Sequence, residues 1–186
     1  MKSLLEMCTK NVHFTYNNQT YQQIDRVAMG SPLGPVIAGI FMVQMETETV
    51  PKLRENVKVW KRYVDDTFCV IKKGTDKAIL NELNKNKHVK FTAENQSNNM
   101  LAFLDVLLIN RFGTIDTTVY WKSTNTDIYI NWNSFAPETW KKSTLKILIH
   151  RAFRICSQPY FVREELVHLK TVFQVINGYP TSVINK

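Results

Sequence analysis

The sequence predicts an α+β protein: an antiparallel sheet with packed helices, followed by a helical region. Three observations carry that expectation. Short extended runs are punctuated by turn residues at Asn17-Asn18, Asn98-Asn99 and Arg111-Phe112-Gly113, as in hairpins and meanders. Other segments repeat apolar residues at helical spacing. Around Ser123 to Glu138 the composition turns polar and aromatic before two helical patterns, so a boundary is drawn near Trp121, giving regions 1–121 and 122–186.

Taken in order, "FTYNNQTYQQI" reads as a hairpin turning at Asn17-Asn18. In "AMGSPLGPVIAGIFMVQMETETV", Ser31 and Pro32 suit a helix start, a hydroxyl to cap free N–H groups and then a residue lacking one. Ile37, Ile40, Phe41, Met45 and Glu48 form the expected inner face, and Pro51 marks the end. Val57 to Ile71 reads as strand, Asp-Asp turn, strand. A short helix "DKAILNELNKN" follows, with Ile79, Leu80 and Leu83 inward, and then a β-meander from Val89 to Trp121.

Of the two last helices, the first carries Leu145, Leu148, Ile149, Ala152, Phe153 and Cys156 as its apolar stripe. Its lysines and arginines fall largely elsewhere, which makes it amphipathic with a basic outer surface. Ser157-Gln158-Pro159 breaks it. The second carries Val162, Leu166, Leu169, Phe173 and Ile176, and "NGYP" stops it with Gly178 and Pro180.

Net charge is +8, from 24 basic and 16 acidic residues, which favours a polyanionic partner. The longest apolar run, Pro35 to Val43, is about half the ~20 residues a membrane span needs. The apolar stretch at the N-terminus, in "MKSLLEMCTKNVHF", is too short for a secretory signal. Cys8, Cys69 and Cys156 have no metal or disulfide spacing, and His13, His88, His150 and His168 suggest no metal site. Met29, Met42 and Met45 read as core filler. The expectation is a reduced, intracellular, basic protein without a membrane.

"WKRYVDDTFCVIKK" raises the chemical question. Asp65 and Asp66 repel each other, and two-residue turns favour Asn-Gly or Asp-Gly because the backbone needs φ > 0. Adjacent carboxylates at a hairpin tip have one strong use, to bind a divalent metal whose charge removes the repulsion. The bland alternative is a solvated polar turn.

"RYVDDTF" resembles the catalytic hairpin of reverse transcriptases, and "VAMGSPLGPVIAGIFM" resembles the loop and helix that contact template and nucleotide in that family. "FLDV" is similar to its palm-to-thumb strands. "VYWKSTNTDIYINWNSFAP" and "HRAFRICS" are similar to the region after the palm in Penelope-like retroelement polymerases. The motifs occur in the family's order over nearly the whole chain. The resemblance implies a partial polymerase palm over 1–121 and a helical thumb or helix-turn-helix-like region over 122–186. It implies an RNA-directed DNA polymerase using Mg²⁺ (or Mn²⁺), an RNA template, a DNA primer and deoxynucleoside triphosphates. Asp65 and Asp66 match the metal-binding carboxylates. Tyr63 and Val64 match residues near the primer end, and Gly30, Ser31 and Pro32 the loop that lets template and nucleotide approach the backbone. Two metals would clamp the attacking and leaving oxygens of an in-line phosphoryl transfer.

The family also needs an aspartate on an earlier strand, well before the Gly-Ser loop. Only 29 residues precede Gly30, and none reads as such a strand; Asp25, followed by Arg26, is too close to the loop. Fingers and an attached nuclease signature are missing too. The resemblance therefore implies a C-terminal piece of a longer polymerase, inactive alone and completed by the missing N-terminal part, or a degenerate remnant. Lys90 is a loose match to the family's general-acid lysine, and Asp105 reads as a palm-core or turn-capping residue. Lys141, Lys142, Lys146, Arg151 and Arg154 are the expected nucleic-acid contacts, on a helix pair that resembles a helix-turn-helix in outline. Tyr120, Trp121, Tyr129, Trp132 and Trp140 suit either base stacking or internal packing. The alternative function is a non-catalytic nucleic-acid-binding remnant of such a polymerase.

Overall fold

Turn chemistry decides where the strands fold back. The computed structural model describes residues 3–6, 12–24, 27–28 and 30–185. Asn17 and Asn18 sit at φ 50° and 60°, joining β1 (His13–Tyr16) to β2 (Gln19–Gln22). Positive φ at both central residues is the geometry whose twist matches paired strands, and asparagine tolerates it. Asn98 and Asn99, at φ 51° and 61°, turn the chain into β5 (Met100–Phe103). Phe112 and Gly113, at φ 50° and 97°, join β6 (Val106–Arg111) to β7 (Thr114–Val119).

The protein is α+β, and its antiparallel strands form three small sheets, β1–β2, β3–β4 and β5–β6–β7, in place of one larger sheet. Its residues divide into two compact units, Met1–Ala93 and Glu94–Lys186. The division falls before the meander and not near Trp121, because β7 is fastened to the C-terminal helices. Ser157 N–H donates to the Thr117 carbonyl (2.9 Å), and the Thr117 hydroxyl donates to the Ile155 carbonyl (2.5 Å). No helix among the described residues is long and apolar enough to cross a membrane.

In the first unit, α1 spans Gly34–Thr49, with a 3-10 turn Val50–Leu53 at Pro51. It starts later than Ser31 and Pro32 suggest. Those residues form a turn, with Gly34 N–H donating to the Ser31 carbonyl (3.0 Å), and Pro35 takes the first helical turn instead. The buried face is Met42 and Met45, with Phe41 against the same cluster; Ile40 is 64% exposed and Glu48 is exposed. Periodicity places Met45 and Phe41 correctly but misses Met42 and wrongly adds Ile40 and Glu48, because the first turns of α1 are apolar all round and cross-contacts choose the side. Strand β3 (Val57–Tyr63) pairs with β4 (Asp66–Ile71), and α2 (Asp76–Leu83) adds Ile79 and Leu83 to the core.

Residues 89–96, expected as the meander's first strand, are irregular. Asn84 explains this: its side chain accepts from Phe91 N–H (2.7 Å) and donates to the Phe91 carbonyl (3.0 Å), occupying both groups a sheet would use.

In the second unit, α3 spans Glu138–Ile155 and α4 spans Pro159–Thr171, continued by a π-helical turn Val172–Ile176 and the short α5 (Thr181–Ile184). Pro159 opens α4, where a missing N–H is harmless. The core joins Leu145, Leu148, Leu169, Val172, Phe173 and Tyr179, with Ala152 also buried. On α4 the inward face is Phe161, Glu165 and Leu169; Leu169 and Phe173 are buried as expected, while Val162 and Leu166 are only half-buried. "NGYP" is more than a stop signal. Asn177 Nδ2 donates to the carbonyls of Asp127 and Val172 (both 2.9 Å), and Oδ1 accepts from Tyr129 N–H (2.7 Å). The Tyr179 hydroxyl donates to the Ile130 carbonyl (3.0 Å) and also reaches that of Lys141 (3.3 Å). Gly178, at φ 71°, makes the bend between them.

Candidate nucleic-acid interface and acidic hairpin

The β3–β4 register pairs Tyr63 with Asp66. The two turn residues are therefore Val64 and Asp65, and Asp66 begins β4; the expected Asp-Asp turn is shifted by one position. Val64 sits at φ 56°, a left-handed conformation that a β-branched residue rarely adopts. Asp65 and Asp66 are both exposed, which lowers the cost of their adjacency through hydration. Asp66 lies on the face of Tyr63, while Trp60 and Arg62 take the other face toward α1.

A chain of contacts holds the tip. Arg62 Nε donates to Glu46 Oε1 (2.7 Å), Trp60 Nε1 donates to the same oxygen (2.8 Å), and Arg62 Nη1 donates to the Val64 carbonyl (2.9 Å). One guanidinium thus ties the turn to α1. Partial burial pushes the Glu46 carboxyl up, but the Arg62 and Trp60 hydrogen bonds and the Arg62 charge outweigh it and hold the group below the usual range. On the inward side of β4, burial raises the Cys69 thiol to about 11, so it stays protonated and unreactive.

Of the loop residues implied to meet template, Gly30 and Pro32 are open. Gly30 has φ 86°, and among the described residues, its chain neighbours aside, nothing lies within 4 Å of where a Cβ would stand. Ser31 is half-buried, Pro32 is exposed, and Tyr63 and Val64 are exposed. Asp25, Arg26, Met29 and Cys8 lie outside the described residues. Lys90 is exposed in the irregular segment. Asp105 occupies a hairpin turn after Leu104 (φ 53°), and its carbonyl accepts from Tyr120 N–H (2.8 Å).

On α3 the five expected phosphate contacts separate. Lys141 is only 7% exposed, and its Nζ donates to the carbonyls of Trp132 (2.5 Å) and Ser134 (2.7 Å); it fastens the preceding loop and is not on the surface. Arg151 lies inward, its guanidinium 4.2 Å from the Trp121 ring centroid and 3.9 Å from Glu165, which also accepts from Trp121 Nε1 (3.0 Å). Lys142 is exposed and paired with Glu138 (2.7 Å). Lys146 and Arg154 are exposed, with exposed His150 between them at i+4. His150 was absent from the expected set; its i, i+4, i+8 spacing with Lys146 and Arg154 was the available signal. These three share a face opposite Leu145, Leu148 and Ala152.

Three of the five aromatic residues pack against the core of the second unit. Tyr129 stacks on Phe173 at 5.2 Å, Trp132 leans on Tyr179 at 5.1 Å, and Trp121 packs on the same core, while Trp140 is 64% exposed. Asp116 on β7 accepts from Gln158 Nε2 (3.0 Å) and Ser157 Oγ (3.1 Å) and pairs with Arg111 (3.2 Å). Those hydrogen bonds, Gln158's first, with the Arg111 charge, hold its carboxyl below the usual range. The α3–α4 junction is thereby fixed to the sheet.

A family model described as an animal helix-turn-helix domain matches residues 128–186. The match covers most of the polar aromatic segment, then α3, α4, the π-helical turn and α5. No curated protein and no solved structure matches the chain.

Proposed function

We propose that the chain grips nucleic acid through the outward face of α3. One observation carries the reading: Lys146, His150 and Arg154 form an exposed row along a helix inside the span that resembles a helix-turn-helix domain. Lys142 stands beside the row. Lysine and arginine at phosphates release counterions, so binding of this kind is sequence-tolerant and weakens with salt. The net charge of +8 adds long-range attraction. Fluorescence anisotropy with a labelled duplex tests it. Affinity should fall steeply as salt rises; absence of binding at low salt, or binding indifferent to salt, would contradict it.

We further propose that the β3–β4 hairpin belongs to a polymerase of the reverse-transcriptase type. The observation that favours this second reading is Val64 in a left-handed conformation, held by Arg62. Such strain persists where the surroundings over-determine it, and it clusters at functional turns. Asp65 and Asp66 are oxygen donors of the right chemistry for Mg²⁺ or Mn²⁺. Yet no group of three or more His, Cys, Asp or Glu side chains comes together among the described residues. The hairpin supplies part of an ion shell, and the chain by itself binds nucleic acid without extending a primer. In that reading Gly30, Ser31, Pro32, Tyr63 and Val64 contact RNA template, DNA primer and nucleotide. Primer extension on RNA tests it. A longer polymerase containing this hairpin should lose synthesis on Asp65→Asn, and retained synthesis would remove the assignment.

A further inference from the structure

Between the last turn of α3 and the outer side of α4 lies a groove that neither reading uses. Val162 and Leu166 form its half-buried floor, and Phe153 and Val167, each 61% exposed, form its shoulders. Arg163 and Lys170 stand on its edge, and no carboxylate among the described residues lines it. They are seven residues apart on α4, two turns or about 10.5 Å along the axis, and so point the same way. Contiguous apolar side chains left in water beside fixed positive charge mark a docking surface.

We infer that this groove binds an amphipathic helix bearing acidic residues, supplied by a partner protein. A helix laid along α4 would put apolar side chains, recurring every three to four residues, between Phe153 and Val167. Carboxylates two turns apart on its flank would meet Arg163 and Lys170. Charge complementarity selects that occupant. A phosphate backbone would meet Arg163 and Lys170 but would lose water against Phe153, Val162, Leu166 and Val167, which offer it no hydrogen bond. A second copy would set Arg163 and Lys170 against their own equivalents in a two-fold interface, on chains already carrying +8. The inference does not depend on either function proposed above.

The test displays two peptide libraries to the full chain, each a helix of about sixteen residues, roughly four turns. Apolar positions are varied among Leu, Ile, Val, Met and Phe; flanking positions are Glu in one library and Lys in the other. Glu-flanked peptides should be enriched and should shield Cys156, which lines the groove, from iodoacetamide. Their affinity should drop at least tenfold with Val167→Asp, and equally with Arg163→Glu and Lys170→Glu together, while duplex DNA affinity stays unchanged with Val167→Asp. Val167→Ser, checked by circular dichroism, repeats the test should the aspartate disturb folding. Equal enrichment of Lys-flanked peptides, no enrichment, or peptides indifferent to these substitutions would overturn the inference. So would duplex DNA that displaces the peptide and weakens with Val167→Asp, or a dimer of this chain that the same substitution dissociates in sedimentation.

Discussion

Replacing Asn177 with aspartate should cost the second unit much of its stability, although the two side chains are nearly isosteric. Asn177 is 2% exposed and makes three side-chain hydrogen bonds, two as donor and one as acceptor. Asn177→Asp keeps the acceptor for Tyr129 N–H but turns an oxygen toward the carbonyls of Asp127 and Val172. Two lost bonds cost about 1 kcal/mol each, and leaving two buried carbonyls facing a polar group without a proton adds about 1–3 kcal/mol. The sum, about 3–5 kcal/mol, is a large part of the ~5–15 kcal/mol that holds a typical domain. The new carboxyl should have a folded pKa above its unfolded value, because burial and two carbonyls disfavour its charge. Relative to the parent, the loss should therefore be smallest below the unfolded value and grow as pH rises through the folded one. Asn177→Ala should cost a similar amount without that pH dependence. Urea unfolding followed by tryptophan emission measures both, in a Trp60→Phe background so that Trp121, Trp132 and Trp140 report the second unit. A loss below about 1 kcal/mol for either variant would refute the view that this side chain ties the 127–132 segment to the helices.

Two further outcomes test the first unit. Glu46 has a lowered folded pKa, so its contribution is present above the unfolded value near 4.5 and is lost as pH falls through the lowered folded value. Glu46→Gln should remove this acid sensitivity and cost about 1–3 kcal/mol near neutral pH by Trp60 emission; an unchanged acid profile would contradict the Arg62 clamp. Val64→Gly should relieve a left-handed conformation worth about 1–2 kcal/mol, against ~0.5–1 kcal/mol of added chain entropy, for a small net gain. A lowered urea midpoint would show that Val64 is not strained.

Much of the fold was legible because turn residues and helix breakers act locally. Asn17-Asn18, Asn98-Asn99 and Phe112-Gly113 contain residues that accept positive φ, and Pro159 and Pro51 mark helix boundaries by the N–H they lack. The hairpin tip was misread by one residue because valine is a poor choice for the conformation Val64 adopts, and nothing local announces it. The inner face of α1 was hidden by an apolar sequence on every side; Glu46, through Trp60 and Arg62, makes the choice. Lys141 looks like a surface charge by periodicity, but its long stem reaches back to two carbonyls. Asn177 and Tyr179 are illegible for another reason: their partners lie up to 50 residues away, and local sequence carries no trace of such pairing.

Charge removal on α3 tests the central claim most directly. Lys146→Gln with Arg154→Gln leaves the buried face of the helix untouched, whereas Lys141 and Arg151 serve the interior. The measurement is duplex affinity against salt by anisotropy, for the parent chain and this double variant. Each lost phosphate contact should reduce the slope of log affinity against log salt by about 0.9, so the variant should bind more weakly with a slope shallower by about 1.8. An affinity and slope indistinguishable from the parent would contradict the assignment of this face to nucleic acid.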